Sequence, residues 1–173
     1  MPAIAEFASS LRQMLPQPCI DAINLTEVPG LDGGSVDQPL AQILGGTSEL
    51  DWGDLSGAKR RLAESGLWLL AGKLDKSHTI SQSIDNPTGS FWHGIMHRRE
   101  GDFGNSKYWF RLTGNHPAFE LIYKHSQGDY LDPFDFVDAC QRAQRKPGEV
   151  TERCKAAQWV EWQALMLCSV GAI

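Results

Sequence analysis

Along most of the chain, apolar residues recur at the three-to-four spacing of an α-helix rather than the alternation of a strand. Ile4, Phe7, Leu11 and Met14/Leu15 share one helical face, which predicts an amphipathic helix over residues 2–15, ended by Pro16 and Pro18. From Cys19 to Trp52 the period dissolves. Gly30, Gly33, Gly34, Gly45, Gly46 and Gly53 interrupt it, and only residues 39–44 leave room for a short helical turn. The segment 19–54 is therefore expected to be an irregular wrapping loop or a lid, because long structureless stretches in a domain usually cover a site.

Helical periodicity returns at Ser56. Leu55, Ala58, Leu62, Leu69 and Leu70 form a stripe, while Lys59, Arg60 and Arg61 face water. A short helix follows over residues 75–84. Asn86-Pro87 pairs an N-cap with a proline at the first helical position, opening a helix that Gly101 stops after Glu100. Asp102 caps the next, to Thr113, and Gly114 closes it. Further helices are predicted from 115–117 to Gln127, and from Asp132-Pro133, where Asp135 occupies the capping-box position and Leu131 and Phe136 stand as a hydrophobic staple. Pro147-Gly148 breaks the chain before a long last helix over 149–170 that carries Trp159 and Trp162. The prediction is an all-α fold, a single domain over 1–173 built as a compact bundle of about six to eight helices.

Composition narrows the functional classes. The chain has 173 residues, 42% of them apolar, with net charge −5. That sign argues against nucleic acid and against anionic membrane surfaces, both of which demand a positive field. The longest apolar stretches, around 67–71 and 164–168, fall far short of the ~20 residues a membrane span requires. The N-terminus does not read as a signal peptide. Cys19, Cys140, Cys154 and Cys168 contain no Cys-x-x-Cys pair. Cys154 and Cys168 lie about four turns apart on one predicted helix, too far to bridge. Scattered thiols fit a reducing, cytoplasmic setting.

The chemistry concentrates between His78 and His116. On the helix through residues 88–100, Phe91, Trp92, Ile95 and Met96 cover one side; Gly89, Ser90, His93, His97 and Glu100 share the other. Two histidines at i, i+4 project from adjacent points of a helix and can ligate one ion. Further ligands would come from Glu100, His78, His116 or Asp102. Imidazoles with a carboxylate suit Zn, Fe, Ni or Mn. The pattern is not His-Glu-x-x-His, since Gly94 stands where that motif keeps its base. Glu100 and Asp102 are candidate acid and base, provided burial separates their affinities for protons. Arg99 projects among the apolar residues and needs a partner, for which Asp102, Asp85 and Glu64 are available. Lys107 and Arg111, one turn apart, can join Arg98 to grip a carboxylate or phosphate. Tyr108, Trp109 and Phe110 are consecutive, so at least one must face a second interface or a cleft, with Trp92 as a further wall.

Residues 88–118 also resemble a single tetratricopeptide-like helix–turn–helix. Gly94, the turn Gly101-Asp102-Phe103, then Ser106, Phe110 and Thr113 follow that repeat in order, with Pro117 near the closing proline. The resemblance implies a helical hairpin whose first helix turns His93 and His97 toward a neighbour instead of water. Ser90, His93 and His97 replace residues the repeat buries, and no second copy occurs at that period. Three functional expectations follow. The first is a metal ion or small molecule bound at the histidines, in a site fit for metal-assisted catalysis. The second is a helical module that docks a partner protein, with a homodimer through the Trp-rich last helix as one form. The third is a metal-free binder of an anionic metabolite through Arg98, Lys107 and Arg111.

Overall fold

A computed structural model describes residues 4–46 and 49–173, and every regular element among them is helical. A 3-10 turn, Glu6–Ala8, precedes α1 (Leu11–Met14), α2 (Gln17–Leu25), α3 (Gln38–Gly45), α4 (Gly57–Leu70) and α5 (Leu74–Ser81). Then come α6 (Pro87–Glu100), α7 (Phe103–Thr113), α8 (Ala118–His125), α9 (Pro133–Arg145) and α10 (Glu149–Val170). Ten α-helices among the described residues exceed the expected six to eight, and the excess lies before Ser56.

The predicted 2–15 helix breaks in two, its first two residues falling outside the described ones. Ser9 and Ser10, whose hydroxyls compete with helical hydrogen bonding, form the turn between the 3-10 segment and α1. Pro18 does not end a helix but sits in the first turn of α2, where its missing N–H costs nothing. Segment 19–54 is accordingly only partly irregular. Cys19, Ile20 and Ile23 give α2 a buried face, and Asp37 caps α3 by accepting from the Leu40 N–H at 3.0 Å.

The intervening stretch is strapped down. Gln158 Nε2 donates to the Gly30 carbonyl at 3.2 Å, Gln144 Nε2 to Leu31 at 2.8 Å, and Arg99 Nε to Asp32 at 3.1 Å. Because each is a side-chain donor from a different helix, the segment fastens α6, α9 and α10 together rather than hanging as a lid.

The core is organised around α10, which packs on α4, α6, α8 and α9 and buries every residue from Glu161 to Leu167. Trp162 donates from Nε1 to the Gly66 carbonyl at 2.8 Å, and Trp92 donates to Ser169 Oγ at 2.9 Å. Trp162, expected at a dimer face, is thus inside the protomer. The helices meet closely at Gly66: a Cβ there would stand 2.6 Å from Trp92 Cζ2 and 2.7 Å from Met166 Cε. Asp132 caps α9 through the Phe134 and Asp135 amides, but Leu131 is 68% exposed, so the expected staple to Phe136 is not made. Among the described residues no helix is long and apolar enough to cross a membrane.

Candidate metal centre

Three helices build the site. Asn86 starts α6 by accepting from the Gly89 N–H at 2.8 Å, and Gly101 ends it in the left-handed region at φ 93°. Helices α5 and α7 both pack against α6. Contact with α7 is close because Gly94 has no side chain. A Cβ there would press on the Phe110 ring at 3.3 Å, and Ser106 Oγ donates to the Gly94 carbonyl at 2.7 Å. This approach carries Trp109 onto His93, ring on ring, with centroids 3.9 Å apart and planes 21° from parallel.

His93 and His97, one turn apart on α6, meet His78 from α5. Ring centroids are separated by 4.7 Å for His78–His93, 4.7 Å for His93–His97 and 5.4 Å for His78–His97. One ligand nitrogen from each lies within 4.8 Å of the other two. Nitrogens at about 2.0–2.1 Å from a tetrahedral ion stand about 3.3 Å apart. The trio therefore needs to contract by up to about 1.5 Å to hold one, a movement within reach of χ rotations.

Two of the three rings, those of His93 and His97, have hydrogen-bond partners that favour one tautomer. Ser81 Oγ donates to the His78 carbonyl at 3.3 Å and lies 3.4 Å from His93 Nδ1; with the hydroxyl proton so committed, the contact favours a hydrogen on Nδ1 and a lone pair on Nε2. His97 Nδ1 donates to Glu100 Oε2 at 3.0 Å, while Asn105 Nδ2 lies 3.0 Å from His97 Nε2. Carboxylate–histidine pairing of this kind orients an imidazole and makes it a better ligand. Burial, reinforced by the neighbouring His97 and His78, lowers the pKa of His93 to about 3. Burial also lowers that of His97, against the opposing pull of Glu100. Both rings are neutral at physiological pH, the form that ligates metal.

The other expected residues separate. His116 lies outside the trio. Its Nδ1 accepts the Ala118 N–H at 3.2 Å and its Nε2 donates to Thr88 Oγ1 at 3.1 Å, so both nitrogens are engaged in starting α8, and burial holds its pKa down at about 4. Asp102 caps α7 through the Asn105 amide at 3.1 Å, and Glu100, with its side chain 56% exposed, faces the site through His97. Trp92 is in the core, away from the histidines. Trp109 walls the site, Phe110 packs against Phe91, and Tyr108 is half exposed at the edge of Trp109.

Nor are Arg98, Lys107 and Arg111 gathered into one grip. Arg98 is 0% exposed and binds both Glu161 oxygens, Nη1 at 2.9 Å and Nη2 at 2.5 Å. Burial opposes its charge, yet the Glu161 carboxylate more than offsets this and holds Arg98 firmly protonated. Lys107 pairs with Asp138 at 2.7 Å, and Arg111 lies over the Phe134 ring at 5.9 Å. Arg99 finds none of the expected carboxylates. It donates to the carbonyls of Asp32 and of Leu69, the latter at 2.5 Å in the last turn of α4, where the helix dipole favours a cation. Burial, with Arg98 alongside, lowers its pKa to about 10.

Asn105 and Ser81 touch the histidine cluster and are not among the residues the sequence singles out. Ser81 stands in the uncharged polar run 77–82 around His78, a composition suited to hydrogen bonding. Asn105 follows Asp102 by three residues, a spacing that reads as a helix start and nothing more. Comparisons with protein-family models, with curated proteins and with solved structures return no match to this chain.

Proposed function

We propose that His78, His93 and His97 bind one divalent transition metal (Zn, Fe, Ni or Mn), with a further coordination position left for water or a substrate atom. The supporting observation is the convergence of three imidazoles from two helices, with the outward nitrogens of His93 and His97 already tied to Ser81 and Glu100. Three protein ligands and one open position is the arrangement of catalytic rather than structural zinc. A metal held there lowers the pKa of bound water toward neutrality and polarises carbonyls. Glu100 keeps His97 oriented, and Trp109 shields one side of His93. On this reading the chain is a helical metal-binding protein equipped for metal-assisted chemistry.

The test is elemental analysis of protein purified without a histidine tag or chelator, beside the double variant His93→Ala/His97→Ala and the variant His116→Ala. Near-stoichiometric metal in the wild type and in His116→Ala, lost from the folded double variant, is the expected outcome. Wild-type protein that takes up none of Zn, Fe, Ni or Mn on reconstitution overturns the reading.

A further inference from the structure

Helix α5 carries His78 into the histidine cluster, yet it is docked unlike α6 and α7. Only Ser77 and Ser81 of its residues are buried, and Leu74 and Ile80 reach the core in part. Toward α4 it offers hydroxyls: Ser65 Oγ donates to the Ser77 carbonyl at 3.2 Å and lies 3.0 Å from Ser77 Oγ. Toward α6 it offers Ser81, beside His93 Nδ1, and the His78 ring, set edge-on to His93 and His97. By contrast α6 buries Phe91, Trp92, Ile95 and Met96, and α7 buries Phe110 against Phe91.

The chain on either side of α5 is held firmly. Ala71 is fully buried and Ile84 nearly so. Gly72, at φ 74°, passes so close to the strap that a Cβ there would stand 2.7 Å from the Ser35 carbonyl oxygen. Between these anchors, a helix that buries hydroxyls gains little from docking, because each hydrogen bond it makes replaces one to water and little apolar surface is covered. A segment of this kind belongs to the low-stability end of a fold and opens while the rest stays intact.

We infer that α5 is a metal-dependent latch, opening between Gly72 and Ile84 in the metal-free protein and shut by an ion held on His78, His93 and His97. The inference rests on the three-histidine centre proposed above and adds how that centre is coupled to the fold. His93 and His97 share one helix, one turn apart, so both are in place whether or not α5 is docked. His78 is in place only when it is. An ion therefore favours the shut form by as much as the third imidazole adds to its affinity, and by no more. Opening bares Ser65 on α4 and His93 on α6, both buried when α5 is shut. The metal content of the site is thereby displayed as a change of surface.

The experiment is hydrogen–deuterium exchange of the full chain, without metal and with one equivalent of divalent Zn, Fe, Ni or Mn in turn, the bound metal being measured by elemental analysis of the same samples. Without metal, amides of residues 77–82 are expected to exchange about tenfold or more faster than those in the middle of α4 and α6. The ion that is taken up should slow them by about tenfold or more in the wild type and leave them unchanged in His78→Ala. Metal bound at one per chain with α5 exchange unaltered overturns the latch and leaves the metal centre standing. Equal slowing in His78→Ala also overturns it, since the ion then acts without the third ring. So do α5 amides already as protected as those of α6 before metal is added. Uptake of none of the four ions removes the centre and the latch together.

Discussion

His97 is gripped from two directions, and the two contacts have opposite consequences for a metal. Glu100 accepts from Nδ1, which would leave Nε2 as the ligand atom of the proposed centre, whereas Asn105 lies 3.0 Å from Nε2 and would have to give way to an ion. Glu100→Ala is therefore expected to weaken metal binding by about 10–100-fold. Asn105→Ala is expected to strengthen it about 3–10-fold, the worth of one net hydrogen bond. Competition against a chromophoric chelator measures both, and a loss of affinity in both variants would show that Asn105 supports the bound state instead. Protonation gives a second check. Folded His93 and His116 titrate near pH 3 and 4, below their unfolded value near 6.5, so the unfolded chain binds more protons in between. Stability of the metal-free protein should be flat above pH 6.5 and fall as pH drops toward 5, before carboxylates titrate. A melting temperature independent of pH over that window would contradict the burial of these rings. At this scale the sequence exposes His93 and His97 through their helical spacing. It misplaces His116, whose partners Thr88 and Ala118 come together only through the turn before α8. It also groups Arg98 with Lys107 and Arg111 in an anion grip, because its partner Glu161 lies 63 residues away on another helix.

Helix packing sets the next scale. Gly66→Ala would ordinarily favour a helix by up to ~1 kcal/mol. Here the new methyl meets Trp92 and Met166, and Trp92 is anchored to Ser169, so the net effect is expected to be destabilisation by about 1–3 kcal/mol. Chemical denaturation decides it, and a stabilised variant would mean the α4–α6–α10 junction is looser than described. The Arg98–Glu161 pair joins α6 to α10 with both side chains fully buried. Glu161→Ala leaves a buried cation uncompensated and should cost about 3–5 kcal/mol, much of which Arg98→Met/Glu161→Leu should restore. From α4 onward the helices follow from stripes and caps legible in the sequence, notably Asn86, Asp102 and Asp132. Before α4 only α3 does, at the expected turn over 39–44; α1 and α2 are too short for a period to accumulate, and glycines and prolines dominate the pattern. Pro18 and Pro39 can equally stop one helix or open another, and only burial of Ile20, Ile23, Leu40 and Leu44 decides for opening.

At the scale of the whole molecule, the segment between α2 and α3 acts as a strap. Arg99 leaves α6 roughly opposite His97, so the strap and the histidines occupy different sides of one helix. Arg99→Gln should speed amide exchange across residues 30–36 by about tenfold or more, in keeping with loss of a tether, while leaving metal content unchanged. Exchange confined to its wild-type rate would show the glutamine side chains suffice. The glycines of this stretch mark it as irregular in the sequence; its fastening has no such mark, since backbone carbonyls carry no sequence signature. The same holds for the histidine cluster, where His78 reaches the α6 pair only through the packing of α5. The most direct measurement is X-ray absorption at the edge of the metal in reconstituted protein. Three imidazole nitrogens at about 2.0–2.1 Å with one further light-atom ligand is the expected first coordination sphere. Sulfur at about 2.3 Å, or a metal surrounded only by water oxygens, would contradict the three-histidine centre.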